Sequence, residues 1–166
     1  GKEDDKIRSS IGVVYQDNLL DRLLTVEENL FFRAGFYRFN KDRIRESVKN
    51  AILTTGIQDY AKQRDGKISG GQRRRADITR ALINTPQILF LDEPTSGLDP
   101  ATSEEIHRLL LHKKEMGYLI FLTTHNMGEA EKLCDHIALL NEGKIVEYGQ
   151  PQEICRKYNH QKSDMP

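Results

Sequence analysis

The stretch "QILFLDEP" (Gln87–Pro94) decides the class of fold. Four apolar residues run without interruption into two carboxylates and a proline. A continuous apolar run of this length reads as a strand of a parallel sheet, buried on both faces. Just beyond it, Asp99-Pro100 opens a helix, with Asp as the cap and Pro at the first helical position. That helix carries Ile106, Leu109 and Leu110 and ends at Gly117. "YLIFLTTH" (Tyr118–His125) is then a second buried strand. Strand, helix and strand in this order imply an α/β fold with a mostly parallel sheet.

The same alternation continues on both sides. "SSIGVVYQ" (Ser9–Gln16) is a short apolar strand ending on a polar residue. A helix follows around Glu129–Cys134, and "HIALL" and "KIVEYG" flank the turn "NEG" as strands. Pro151–Tyr158 forms a last helix. Between the first strand and Gln87 the pattern is helical. Thr25 and Glu28 form a capping box that leads into a helix stopping near Gly35. Asn40 caps a second helix with apolar Ile44, Val48, Ala51 and Ile52, and Gly56 stops it. This helical segment, from about 25 to 83, reads as an inserted lobe. The expected partition is residues 1–16 in the core, 17–84 in the helical lobe and its last helix, and 85–166 in the core again.

Composition narrows the function classes. The 166 residues suffice for one domain with a core and a small lobe attached. Formal net charge is zero, so no bulk electrostatic argument points to nucleic acid or anionic lipid. No apolar run approaches the roughly 20 residues of a membrane span, and "GKEDDKIRSS" lacks the make-up of a signal peptide. Cys134 and Cys155 have no metal-ligand spacing and are expected as reduced thiols.

In open parallel sheets, functional groups collect at the carboxyl ends of strands. Three strands here end on polar residues: Gln16, Asp92-Glu93 and His125. An Asp at such an end suits Mg²⁺, held largely through water. A carboxylate one residue on can polarise a water for attack on a phosphoryl group. A histidine can stabilise charge developing on a γ-phosphate, and a glutamine can reach the metal or the water. Taken singly, Asp-Glu is a solvated turn, His125 is structural and Gln16 carries no signal; their combination is what counts. The stretch "KISGGQRRRADITRAL" (Lys67–Leu82) adds a helix whose mouth holds Ser69, Gly70, Gly71 and Gln72. Unpaired N–H groups, two residues without Cβ and a hydroxyl make that mouth suited to a phosphate.

Together, "VYQ" (14–16), "ISGGQ" (68–72), "ILFLDEP" (88–94), "SGLD" (96–99) and "TTH" (123–125) resemble the ATP-binding-cassette (ABC) ATPases over about 140 residues. The resemblance implies a P-loop NTPase, RecA-like parallel-sheet core with an inserted α-helical subdomain. It implies that Gln16 is the Q-loop glutamine and Ser69–Gln72 the signature, with Ile68 in place of the usual Leu. It puts Asp92 at the Walker B aspartate, Glu93 at the catalytic glutamate, Asp99 in the D-loop and His125 at the switch histidine. ATP and Mg²⁺ are the implied cofactors. A second cassette, pairing head to tail, and transmembrane transporter subunits are the implied partners; no nucleic acid is expected among them. The helical lobe and Asp17–Leu24 would touch the membrane subunits, on the cytoplasmic face of the membrane. The run from Thr123 to Pro151 looks most like exporters of drugs, antibiotics and polysaccharides. A non-transport cassette in translation or DNA repair, and a silent regulatory cassette, are the alternatives.

One part of the pattern is missing. The loop Gly-x-x-x-x-Gly-Lys-Ser/Thr should precede Gln16. The Gly-Lys pairs at 1–2, 66–67 and 143–144 are followed by Glu3, Ile68 and Ile145. No aromatic residue can be assigned to stacking on adenine. The expectation is therefore a C-terminal piece of a nucleotide-binding domain with an incomplete core that binds ATP very weakly by itself. In the implied sheet the missing strand lies between "YLIFL" and "HIALL". Closing the gap needs either "HIALL" shifted against "YLIFL" or self-association by strand exchange.

Overall fold

The computed structural model describes residues 2–37 and 40–163; Gly1, of the first Gly-Lys pair, lies outside them. Two compact units divide the chain, residues 1–123 and 124–166.

The first unit runs α1 (Lys2–Ser10), β1 (Ile11–Val14), α2 (Val26–Gly35), α3 (Lys41–Thr55), a 3-10 turn (Asp65–Lys67), α4 (Gly70–Ala81), β2 (Ile88–Asp92), α5 (Pro100–Glu115) and β3 (Leu119–Thr123). Its three strands are parallel in the order β1-β2-β3. Val14 pairs with Leu91 and Asp92 with Thr123, so the carboxyl ends of all three strands lie at one edge of the sheet. β1 is shorter than its apolar run suggests, because Ser9 and Ser10 close α1. Gly12 explains how α4 lies so near β1: a Cβ there would meet the Ala81 carbonyl oxygen at 2.5 Å.

The helical lobe forms where its caps place it. Thr25 and Glu28 make both bonds of the capping box, and Asn40 accepts from the Arg43 N–H. Val26, Leu30, Val48, Ile57, Ala76 and Ile83 bury their side chains in one apolar cluster. That cluster holds α2, α3 and α4 together by the burial of apolar surface. Thr79 donates to Thr55 at 2.8 Å inside it, which satisfies two buried hydroxyls.

Two expectations are corrected. β2 and β3 are not buried on both faces. Leu89 and Leu91 are buried, but Phe90, Leu119 and Phe121 are 39%, 53% and 54% exposed. The Phe90 and Phe121 rings stack on the open side at 5.3 Å. Among the described residues of the first unit, no element covers that side. Nor does "HIALL" move to "YLIFL": β3 pairs with β2 and β4 with β5.

The second unit holds α6 (Met127–Leu133), β4 (Ile137–Asn141), β5 (Lys144–Gly149) and α7 (Pro151–Ser163). β4 and β5 form an antiparallel hairpin. Glu142 and Gly143, both at positive φ (48° and 74°), make the turn that suits a two-residue hairpin. Ala130, Ile137 and Ile154 form its small core, with Cys134 and Leu139 packed against them. Both cysteines are free thiols.

Candidate functional site

At the mouth of α4, Ser69 turns out to make an ordinary cap. Its Oγ accepts from the Gln72 N–H at 3.2 Å, and Gln72 Oε1 accepts from the Ser69 N–H at 3.0 Å. This is a second capping box, legible in Ser-x-x-Gln yet overshadowed by the phosphate reading. The two glycines have different reasons to be there. A Cβ on Gly70 would meet nothing closer than Leu98 at 4.0 Å, so the space beside its Cα is open. A Cβ on Gly71 would meet the Thr102 methyl carbon at 2.1 Å, so the first turn of α5 requires a glycine. Thr102 is in turn held by Asp99, whose Oδ1 accepts from the Thr102 N–H and whose Oδ2 accepts from its hydroxyl. Those bonds, the hydroxyl's first, keep the Asp99 carboxyl below its usual range. Ser69–Gln72 and Asp99 are thus brought together through Thr102.

The other group gathers at the carboxyl end of the sheet. Gln16 follows β1 closely, with its side chain exposed. Asp92 ends β2, and its Oδ1 accepts from the Thr123 hydroxyl. Glu93 sits at φ 48°, in the left-handed region, and its N–H donates to the Thr123 carbonyl at 3.1 Å. A non-glycine residue there is strained by about 1–3 kcal/mol. His125 is exposed and falls in the second unit.

The residue that joins these ends is Arg74, which in the sequence is no more than the middle of a local run of arginines. Only 8% exposed, it donates to the Tyr15 carbonyl at 2.6 Å, the Gln16 carbonyl at 2.9 Å and the Glu93 carbonyl at 3.4 Å. Burial pushes its pKa down, against the upward pull of Asp77, Asp92 and Asp17. Two turns on, Arg80 donates to the Val13 carbonyl at 3.0 Å and to Asp77 at 2.7 Å. Burial raises the Asp77 carboxyl, with Arg80 opposing. Arg74, Asp77 and Arg80 recur at helical spacing on one face of α4. That alternation of charge was the available signal for an inward-facing polar stripe. The neighbouring arginines serve elsewhere, Arg73 on the buried Asp65 at 3.1 Å and Arg75 on Glu105 at 2.9 Å.

This arrangement can hold a phosphate at one helix end while a carboxylate pair waits at a strand edge. A family model described as "ABC transporter" matches residues 2–96, more than half of the chain. The chain belongs to the ABC transporter family. Among ABC relatives, it is 39% identical over 151 residues to the Nod factor export ATP-binding protein I of Rhizobium sp. (strain N33), covering 91% of this chain and 50% of that protein. It is 38% identical over 157 residues to the methionine import ATP-binding protein MetN 3 of Bacillus cereus, covering 94% and 46%. The chain thus spans about half the length of the curated relatives it matches. Proteins named for export and for import align about equally well.

Solved ABC structures agree with the fold. The chain matches cbiO1 from Clostridium perfringens, part of the ABC transporter complex cbiONQ, with a TM-score of 0.84 and 34% identity. That match covers 98% of this chain and 65% of the other. It matches the ATP-binding cassette MJ0796, a dimer bound to ADP and Pi, with a TM-score of 0.76 and 28% identity, over 90% and 66%. The fold is the α/β P-loop NTPase type, with a parallel sheet that is incomplete in this chain.

Proposed function

We propose that the chain is the signature-bearing part of the ATP-hydrolysing subunit of an ABC membrane transporter. The observation that carries this reading is the Arg74 fork, which ties the signature helix to the ends of the strands bearing Gln16 and Asp92-Glu93. Each residue then has a task. Ser69–Gln72 present the α4 N-terminus, with Gly70 open, to the γ-phosphate of ATP held mainly by a second cassette. Asp99 keeps Thr102, and so the signature, in place. In the chain's own site Glu93 polarises the attacking water, while Gln16 reaches that water or the metal. His125 stabilises charge on the γ-phosphate.

Magnesium fits the group at Asp92. Among the described residues no three His, Cys, Asp or Glu side chains cluster to hold a metal. An ion carried mostly by a nucleotide's phosphates and water needs few protein ligands. Asp92 keeps Oδ2 for a metal-bound water while Oδ1 is engaged by Thr123. Magnesium, when bound, would neutralise phosphate charge as the terminal bond breaks.

The partners follow from two exposed surfaces. Leu19, Leu23, Phe32 and Phe36 are 53%, 78%, 68% and 67% exposed on and beside the helical lobe. They suit docking to membrane subunits on the cytoplasmic face. No described helix is long and apolar enough to cross a membrane itself. The bare side of β2 and β3 suits self-association of this chain. Residues 17–84 act as the lobe that passes motion outward, with 1–16 and 85–166 as the core.

The chain itself has no phosphate loop, so by itself it binds MgATP weakly and hydrolyses none. Equilibrium dialysis giving micromolar affinity for the 166-residue chain would overturn that part. In the full protein, assembled with its second cassette and membrane subunits, Glu93→Gln is expected to lower kcat by about 10²-fold or more. Its affinity for ATP should stay within a fewfold. Loss of affinity with kcat retained would reject the role given to Glu93.

A further inference from the structure

Thr123 closes β3 as the register partner of Asp92, so the two side chains stand on the same face of the sheet. The Glu93 N–H donates to the Thr123 Oγ at 3.3 Å as well as to the Thr123 carbonyl at 3.1 Å. A hydroxyl that accepts still has its one proton to give. Thr123 gives it to Asp92 Oδ1. The backbone of one acidic residue thus orients the hydroxyl that holds the other. All three residues belong to the first unit.

The last torsion of an aspartate is broad and roughly two-fold, so a carboxylate left to itself samples many orientations. With Oδ1 engaged by Thr123, that freedom narrows and Oδ2 is the oxygen left for a metal-bound water. The contact is no staple of the core. Thr123 and Asp92 are both exposed, so removing the hydroxyl leaves no buried polar group without a partner. A valine would suit the strand as well as threonine does. Stability of the sheet therefore gives little reason for a hydroxyl at this position.

We propose that Thr123 is a positioning residue for ATP hydrolysis, its hydroxyl holding Asp92 in the orientation that meets the metal. This role rests on the reading of Asp92 as the carboxylate on the magnesium side. The test uses the full protein, assembled with its second cassette and membrane subunits and carrying Glu93→Gln so that ATP persists. ATP affinity is measured by equilibrium dialysis with Mn²⁺ and again with EDTA. The ratio of the two affinities is the coupling between metal and nucleotide. Thr123→Val is expected to cut that ratio about fivefold or more while leaving the affinity in EDTA unchanged. Thr123→Ser keeps the hydroxyl and should return the ratio to within about twofold of the parent value. Asp92→Asn separates the proposal from the reading beneath it. A ratio left intact by Asp92→Asn would reject the reading of Asp92, and the role of Thr123 with it. A ratio lost in Asp92→Asn but kept in Thr123→Val would reject Thr123 alone. Failure of Thr123→Ser to recover would also overturn the proposal, because the methyl group and not the hydroxyl would then be what Asp92 needs.

Discussion

Arg74 makes three hydrogen bonds to main-chain carbonyls, and no other residue type could make them from the same place. A guanidinium is planar and forked, so one side chain reaches two strand ends at once; an ammonium presents its donors from a single point. Arg74→Met leaves the Tyr15, Gln16 and Glu93 carbonyls without their donor and Asp77 with one cation fewer. It is expected to cost about 2 kcal/mol or more in urea unfolding at pH 7. Arg74→Lys should recover less than half of that loss. Full recovery by Lys would mean that charge, and not the fork, is what the strand ends require. The sequence could not disclose these contacts, because a backbone carbonyl has no signature in the residue that carries it. What it did disclose was Asp99 as a cap, since an Asp before Pro acts on groups within its own turn.

The caps are where elements and sequence agree most closely, for the same reason of locality. Thr25, Asn40, Asp99 and the turn at Glu142-Gly143 all act within a few residues of themselves. Glu28 shows the consequence for pH. It accepts from the Thr25 N–H and hydroxyl at 2.7 and 2.8 Å, and those bonds hold its carboxyl below the ordinary 4.5. A depressed carboxyl stabilises the fold fully above its unfolded pKa, and the contribution is lost as pH falls through the lower, folded value. Stability measured from pH 6 down to pH 3 should therefore fall less steeply in Glu28→Gln than in the parent chain. An unchanged slope would show that the box forms no charge-assisted bond in solution. Strand burial was less legible. "ILFL" is apolar whether one face or two are covered, and only the tertiary arrangement exposes Phe90 beside buried Leu89 and Leu91.

For the whole molecule, the open side of the sheet sets the behaviour in solution. Phe90, Leu119 and Phe121 lie beside an outer β3 edge that pairs with no described strand, and such an edge is a template for another chain. Sedimentation at rising concentration is expected to show mass increasing above that of one chain. Phe121→Lys should suppress the increase by placing a charge on the exposed face. A concentration-independent monomer in the parent chain would reject self-association. The strained turn at Glu93 bears on a longer timescale. At φ 48° a glycine would sit there more comfortably than a glutamate, so a lineage selected for durability alone would drift towards Gly at position 93. It would gain stability and lose the carboxylate, and a thermostabilised descendant of this chain should be checked at that position before any other.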